Sequence, residues 1–353
     1  MARISVFPYW TTNPYLNMLY MEARARGWRV DGKWRYHELL NELAVLEAGD
    51  IMHIHWTSPV AEHVKDAAEL RSRIARLDSA LAGARSRGVN VFWTVHNTIS
   101  HDTDYHAEEV ELAKVLGRRS SRIVVLNTQT PRVVSEYYGL PAEKVRHVRH
   151  ASYWGVYEPS PGRRAARSRI GTIPPGDLVV GIVGGIRPYK GVGDLLRAAG
   201  RLAERNPRVS MLLAGGTTPE AMAEIEEAMP GNVTVHRRHG QLTDDEVVTW
   251  ASACDLFALP YTRILNSGSM LLAATLGVPC VVPGEPHLLA EYGDEQWVEF
   301  FDVDAASRVD ALAEAIERGL DRRGGARARA AEQFAASYTM HDMAVDFAEL
   351  LPR

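Results

Sequence analysis

The chain has 353 residues and a net charge of −4, a length that suggests two domains and a charge that argues against a protein whose role is to coat nucleic acid. Its 46% hydrophobic and 24% charged residues suit a large buried core, yet no apolar run approaches the ~20 residues needed to span a bilayer. Cys254 and Cys280 form neither metal-type nor disulfide-type spacing, and the opening "MARISVFPYW" is too short and polar for a signal peptide, so a reducing cytoplasm is the expected setting.

In chain order, "RISVFP", "DIMHIHW", "NVFWTVHN" and "RIVVLN" read as buried strands, each ending in polar residues. Between them "YLNMLYMEARARG", "DAAELRSRIARLDSALAGARSRG" and "HAEEVELAKVLGRRS" carry helical period. The charged, proline-containing "YEPSPGRRAARSRIGTIPPGD" reads as a linker leading into a second domain. The alternation then restarts. Strands "LVVGIVG", "VSMLLAG", "VTVHR", "LFALP" and "PCVVP" are separated by the helix patterns "VGDLLRAAGRLAERN", "PEAMAEIEEAM", "DDEVVTWASAC" and "SGSMLLAATLG". Two successive alternations predict an α/β protein with two doubly wound parallel sheets. The expected division is 1–160, 161–334, and a C-terminal segment 335–353 whose helix "MHDMAVDFAELL" packs back on the first domain.

Ligands of doubly wound sheets sit at the carboxyl ends of strands, beside helix N-termini. "GIVGGIRPYKG" occupies such a place. Gly184 and Gly185 permit close backbone approach, and the helix opened after Gly191 adds N–H groups and dipole for an anion. Arg187 can grip phosphate oxygens as a planar fork, and Lys190 adds a compact charge. The pattern points to a diphosphate. A dinucleotide fingerprint is excluded by spacing, since Gly181, Gly184 and Gly185 do not form G-x-G-x-x-G.

At this element the chain resembles nucleotide-sugar glycosyltransferases of the two-domain GT-B fold, in particular retaining family 4 and related bacterial exopolysaccharide and glycolipid sugar transferases. "GGIRPYKG" matches their glycine–Arg–x–x–Lys–Gly element for the donor diphosphate, and the likeness continues through "MLLAGG", "VTVHRRHGQLTDDEVVTWASACDLFALPY" and "LLAATLGVPCVVP". It is closest over 178–285; in the first half it rests on "NPYLNMLYMEARARGWRV", "DIMHIHW" and "FWTVHNTISHD". The resemblance implies two facing Rossmann-like domains with the ligand cleft between them, the first binding acceptor and the second the donor. It implies a UDP- or GDP-linked sugar as donor, no separate cofactor, and a saccharide, glycolipid or small metabolite as acceptor.

One departure stands out. The two glutamates the family carries before its G-x-P turn fall at Ile264 and Leu272 here. In their place Asn266, Ser267, Gly268 and Ser269 open a helix, where hydroxyls and backbone N–H groups can hold phosphate or sugar oxygens or simply cap the helix. Without the carboxylates, a nucleotide-sugar epimerase of the same fold and a non-catalytic sugar-nucleotide-binding protein stand as alternatives.

His96 ends "NVFWTVHN" at the carboxyl edge of the first sheet, where relatives place a histidine near the transferred sugar; as neutral imidazole it can hydrogen-bond a sugar hydroxyl or receive the acceptor proton. His53 and His55 share one face of a strand and read as strand-end polar residues. Thr11, Thr12 and Asn13 lead into the first helix and can bind oxygen-rich ligands or cap it. Tyr9, Trp10, Tyr15 and Trp56, near strand ends, offer aromatic faces to an acceptor or fill the core.

The triplets "DTD" at Asp102 and "DVD" at Asp302 resemble divalent-metal sites, but Arg187 and Lys190 already supply that charge, so no metal is expected. "RARGWRVDGKWRYHELL", with Arg24, Arg26, Arg29, Lys33, Arg35, Trp28 and Trp34, reads first as a solvated helix end followed by a strand, and leaves peripheral contact with the inner membrane face open.

Overall fold

The computed structural model describes residues 2–99 and 104–352. Its first sheet contains β1 (Arg3–Phe7), β2 (Arg29–Gly32), β3 (Ile51–Ile54), β4 (Asn90–Val95), β5 (Arg122–Val125) and β6 (Val145–His147), in the order β2-β1-β3-β4-β5-β6. Its second contains β7 (Leu178–Val183), β8 (Val209–Gly215), β9 (Thr234–His239), β10 (Leu256–Ala258), β11 (Cys280–Pro283) and β12 (Val298–Phe301), in the order β12-β11-β10-β7-β8-β9. Every pairing is parallel.

The strand orders locate the places where ligands bind. Strand order reverses between β1 and β3 in the first sheet and between β7 and β10 in the second. A crevice opens at such a switch point, beyond the carboxyl ends of the strands. Central strands read as continuous apolar runs because helices cover both faces; all six residues of β7 and all seven of β8 are buried. Gly181 of β7 shows how tight this packing is, since a Cβ there would lie 2.4 Å from Cys254 Sγ.

Contacts divide the chain into two compact units. One holds residues 1–151, 264–266 and 340–353; the other holds 152–263 and 267–339. In the first, the terminal helix Met340–Ala348 packs on the helices Pro14–Leu19 and Met21–Ala25. It sets Phe347 edge-on to Tyr20, at 5.3 Å, and stacked on His53, also at 5.3 Å.

The short strands β6 and β12, which the hydrophobic pattern does not predict, lie at sheet edges, where pairing with one neighbour suffices. The segment expected as a linker contains a helix, Arg163–Ile170. Its Arg167 side chain is buried and donates to Asp255 Oδ2 at 2.7 Å, to the Ala253 carbonyl and to the Asp177 carbonyl. Asp255 also pairs with Arg163 and accepts from the Val179 amide at 2.8 Å. This buried ion pair pins the helix to the start of β7.

Candidate functional site

In the second unit, β7 ends at Val183 and the chain turns through Gly184, at φ +113°, into the short helical turn Pro188–Lys190. Gly191 then reverses the chain at φ +67° and opens the helix Val192–Ala203. A side chain at Gly191 is excluded twice over, because a Cβ would lie 2.3 Å from the Pro260 carbonyl oxygen. Across the switch point, Thr262 donates its amide to the Tyr189 carbonyl at 2.8 Å, tying this turn to the chain after β10.

Lys190 is therefore held inward, only 7% exposed. Its ammonium donates to Ser269 Oγ at 3.4 Å and lies 5.5 Å from the centre of the Tyr261 ring. A Cβ on Gly184 would come within 3.7 Å of the same Ser269 Oγ. Gly184, Lys190 and Ser269 thus converge on one spot. Arg187 is exposed on the same turn and, among the described residues, forms no ion pair with a carboxylate. Gly185 is exposed beside it. One buried and one exposed cation, on a turn bracketed by glycines, suit a ligand carrying more than one negative charge.

The four residues expected to replace the family glutamates separate. Ser267 is the N-cap of the helix Gly268–Thr275, accepting from the Met270 amide at 3.1 Å and donating to the Tyr261 hydroxyl at 3.3 Å. Gly268 must lack a side chain, because a Cβ would sit 2.7 Å from the Tyr153 hydroxyl. Ser269 faces Lys190. Asn266 belongs to the first unit, where its side-chain amide donates to the His96 carbonyl at 3.4 Å. Ile264 is buried in that unit and Leu272 in the second, so neither position offers a polar group.

In the first unit, His96 follows β4 directly and is half-buried. Trp56, just after β3, stacks on it with ring centres 4.2 Å apart and planes at 14°. Trp10 lies 4.8 Å beyond Trp56, so two indoles and an imidazole line the end of the sheet at its switch point. Tyr15 meets His96 edge-on at 5.1 Å but is 3% exposed, which makes it a wall and not an open face. Asn13 caps the helix Pro14–Leu19 by accepting from the Tyr15 amide at 3.0 Å, whereas Thr11 and Thr12 are exposed.

His53 and His55 are not polar strand ends: both are fully buried and bond one hydroxyl, that of Tyr20, at 2.6 and 2.7 Å. Burial pushes the pKa of His53 down to about 3 and those of His55 and His96 well below the ordinary imidazole value, so all three are neutral at pH 7.

Sequence reasoning also missed Glu109. It lines a cavity of about 30 Å³ together with His96, Trp56, Asn97 and Tyr138. Its Oε2 accepts from the Thr57 hydroxyl at 3.1 Å while Oε1 is buried without a partner, and burial raises its pKa. An isolated glutamate on a helix pattern carries no signal of this; only the fold brings it behind His96.

Of the acidic triplets, Asp102 lies outside the described residues, and Asp302 accepts from the Asp304 amide at 2.9 Å in the turn after β12. The basic–aromatic segment is neutralised only in part: of its five cations, Arg26 and Arg29 pair with carboxylates among the described residues. Arg26 pairs with Glu22 and Glu349, Arg29 with Asp31, and Arg35 lies over the ring of Trp34, which is 47% exposed. No helix of the described residues is long and apolar enough to cross a membrane.

Residues 177–322 match the family described as Glycosyl transferases group 1. A GDP-mannose:glycolipid 4-beta-D-mannosyltransferase of Xanthomonas campestris pv. campestris is 26% identical over 298 residues, covering 84% of this chain and 77% of the relative. The sucrose-phosphate synthase of Thermosynechococcus elongatus superposes with a TM-score of 0.75 at 14% identity, over 99% of this chain and 98% of that one. Anabaena HepE in complex with UDP-glucose superposes with a TM-score of 0.74 at 15% identity, over 99% of both chains. The two Rossmann-like units expected from the sequence are the GT-B fold of these neighbours.

Proposed function

We propose that this chain, a glycosyltransferase of the GT-B fold, moves a sugar from a UDP- or GDP-linked donor to a hydroxyl of a saccharide, glycolipid or small metabolite, with no metal ion. The observation that carries this is the convergence of Gly184, Lys190 and Ser269 at the switch point of the second sheet, with Arg187 on the same turn unpaired among the described residues. The sequence relative named above uses GDP-mannose and a glycolipid, and the HepE structure holds UDP-glucose; both are consistent with a diphosphate at this turn.

The chemistry follows from charge. As the bond between anomeric carbon and diphosphate breaks, negative charge accumulates on the departing phosphate oxygens. Lys190 and Arg187 meet that charge with fixed positive groups, the role a divalent ion plays elsewhere. The backbone N–H groups at the start of the helix Gly268–Thr275 add neutral donors where relatives place a carboxylate. In the first unit, exposed Trp10, backed by Trp56, offers stacking surface to a sugar ring, and neutral His96 offers a hydrogen bond to the acceptor hydroxyl.

The test is a panel of UDP- and GDP-sugars, each with and without EDTA, read by release of nucleoside diphosphate. Release that persists in EDTA supports the reading. Complete loss restored by magnesium or manganese would overturn metal independence, and no release or sugar transfer with any donor would overturn the donor class.

A further inference from the structure

The first unit contains a single file of four hydrogen bonds that ends on His96. Thr94 Oγ1 lies 2.8 Å from His53 Nε2, and His53 Nδ1 lies 2.6 Å from the Tyr20 hydroxyl. The same hydroxyl lies 2.7 Å from His55 Nε2, and His55 Nδ1 lies 3.0 Å from His96 Nε2. Thr94, His53, Tyr20 and His55 are all buried, and Phe347 stacks over His53 from the terminal helix. Among the described residues no carboxylate bonds any member of the file; Tyr15 lies beside Thr94 and His96, His150 beside His96, Arg24 and Tyr9 act on Tyr20, and Glu109 lines the cavity that His96 borders.

Counting protons shows what such a file can do. Each neutral imidazole has one N–H and one lone pair, and each hydroxyl has one proton, so every link needs one donor and one acceptor. Only two arrangements satisfy all four links and also give the buried Tyr20 proton an acceptor within the file. In the first, Thr94 donates to His53, His53 to Tyr20, Tyr20 to His55, and His55 to His96; His96 then carries its own proton on Nδ1. In the second every bond is reversed, and His96 donates from Nε2, leaving Nδ1 as a lone pair. A mixed arrangement leaves a buried N–H, a lone pair or the Tyr20 O–H unmatched.

We infer that Tyr20 is a positioning residue for His96: through this file it keeps the imidazole neutral with Nε2 committed inward, and couples its tautomer to His53 and Thr94, so that Nδ1 meets a ligand either as donor or as acceptor but never as half of a cation. This rests on the proposed role of His96 at the acceptor hydroxyl and specifies it. A sugar hydroxyl that must give up its proton selects the arrangement with a free Nδ1 lone pair. A ligand oxygen that only accepts selects the other. The change requires no movement of heavy atoms and no buried charge, which the depressed imidazole pKa values would resist.

The experiment uses the full-length chain labelled with ¹⁵N-histidine, reading the Nδ1 and Nε2 resonances of His53, His55 and His96 between pH 5 and 8. The wild type is expected to show three neutral rings that do not titrate in this window. Tyr20→Phe cuts the file in the middle, and the His96 tautomer should change or its ring begin to titrate. Thr94→Val removes the far end. An unmatched buried lone pair costs less than an unmatched N–H, so His53 should protonate on Nδ1 and His96, three links further on, should follow onto Nδ1. Unchanged His96 nitrogens in Tyr20→Phe together with a His96 proton on Nε2 in Thr94→Val, with the fold verified by circular dichroism, would overturn the inference; if Tyr20→Phe does not fold, a His96 proton on Nε2 in Thr94→Val alone overturns it. Turnover of His96→Ala is measured alongside. A normal rate there would remove the acceptor role while leaving the coupling to stand or fall on the spectra.

Discussion

Lys190 and Ser269 meet across the second unit: the ammonium of one donates to the hydroxyl of the other at 3.4 Å, although the residues are 79 positions apart. The link joins the turn after β7 to the first turn of the helix Gly268–Thr275, the two elements that offer positive charge and free N–H groups. A buried lysine whose hydrogen-bond partner is a neutral hydroxyl is an unfinished ion pair, and a diphosphate would complete it.

Replacing Lys190 or Arg187 by alanine should therefore lower turnover by ~10²–10³-fold, the usual cost of removing one group that stabilises developing charge. Arg187 is exposed and unpaired among the described residues, so Arg187→Ala should leave the melting temperature unchanged. Steady-state rates with a cognate donor check this. Near-normal rates in both variants would mean that the diphosphate is held elsewhere.

Ser267 and Ser269, two residues apart, should behave differently. Ser267 caps a helix, so Ser267→Ala should cost roughly 1 kcal/mol of stability with donor affinity little changed. Ser269 faces the cation, so Ser269→Ala should weaken donor binding by about one to two decades, the worth of a hydrogen bond to a charged oxygen. Melting temperature and donor dissociation constant measured on both variants separate the roles. The opposite pattern would place the donor nearer Ser267.

The second unit was the more legible in sequence. Its signal is local: glycines, cations and a helix start fall within one short stretch, and β7 brackets them with a long apolar run. What the sequence hid there was the division of labour, because capping by Ser267 and pairing by Ser269 depend on Tyr261 and Lys190, which are distant in the chain. The first unit was legible as strands and helices but not as a site. The periodicity that puts His53 and His55 on one face also fits a polar strand end. Only the helices Pro14–Leu19 and Met340–Ala348, from opposite ends of the chain, reveal that Tyr20 and Phe347 cover that face. The placing of Asn266 was hidden for a related reason: residues 264–266 return briefly to the first unit, a detour with no mark in composition.

Glu109→Gln offers a test of the cavity behind His96. Burial raises the Glu109 pKa, so the carboxyl's favourable neutral state contributes fully below the unfolded-state pKa and that contribution is lost as pH rises through the folded value. Glutamine keeps an acceptor for the Thr57 hydroxyl and removes the ionisation. Urea unfolding should show the variant more stable than wild type at pH 8 and close to it at pH 4. A variant equally destabilised at both values would show that the ionised carboxylate is matched by a partner in solution.

Mild acid should loosen the first unit before the second. His53 titrates near about 3 and His150 near about 4 in the folded chain, and His55 and His96 are shifted in the same direction, in each case chiefly by burial. The unfolded chain binds a proton at each near the ordinary value of ~6.5. Between these limits the unfolded state holds more protons, so stability is fully present above about pH 6.5 and falls as pH drops toward the folded values. For His53 alone the loss from pH 8 to pH 5 is roughly 2 kcal/mol, at ~1.4 kcal/mol per unit over ~1.5 units. All four histidines lie in the first unit, so the loss should be local. Amide-exchange protection, corrected for intrinsic pH dependence, should fall at pH 5 for β1, β3 and β4. It should fall less for β7 and β8, because His236 and His239 of β9 are shifted in the same direction but less far. Equal protection of the first sheet at pH 8 and pH 5 would mean that these imidazoles accept protons without unfolding, and that water reaches the file of hydrogen bonds behind His96.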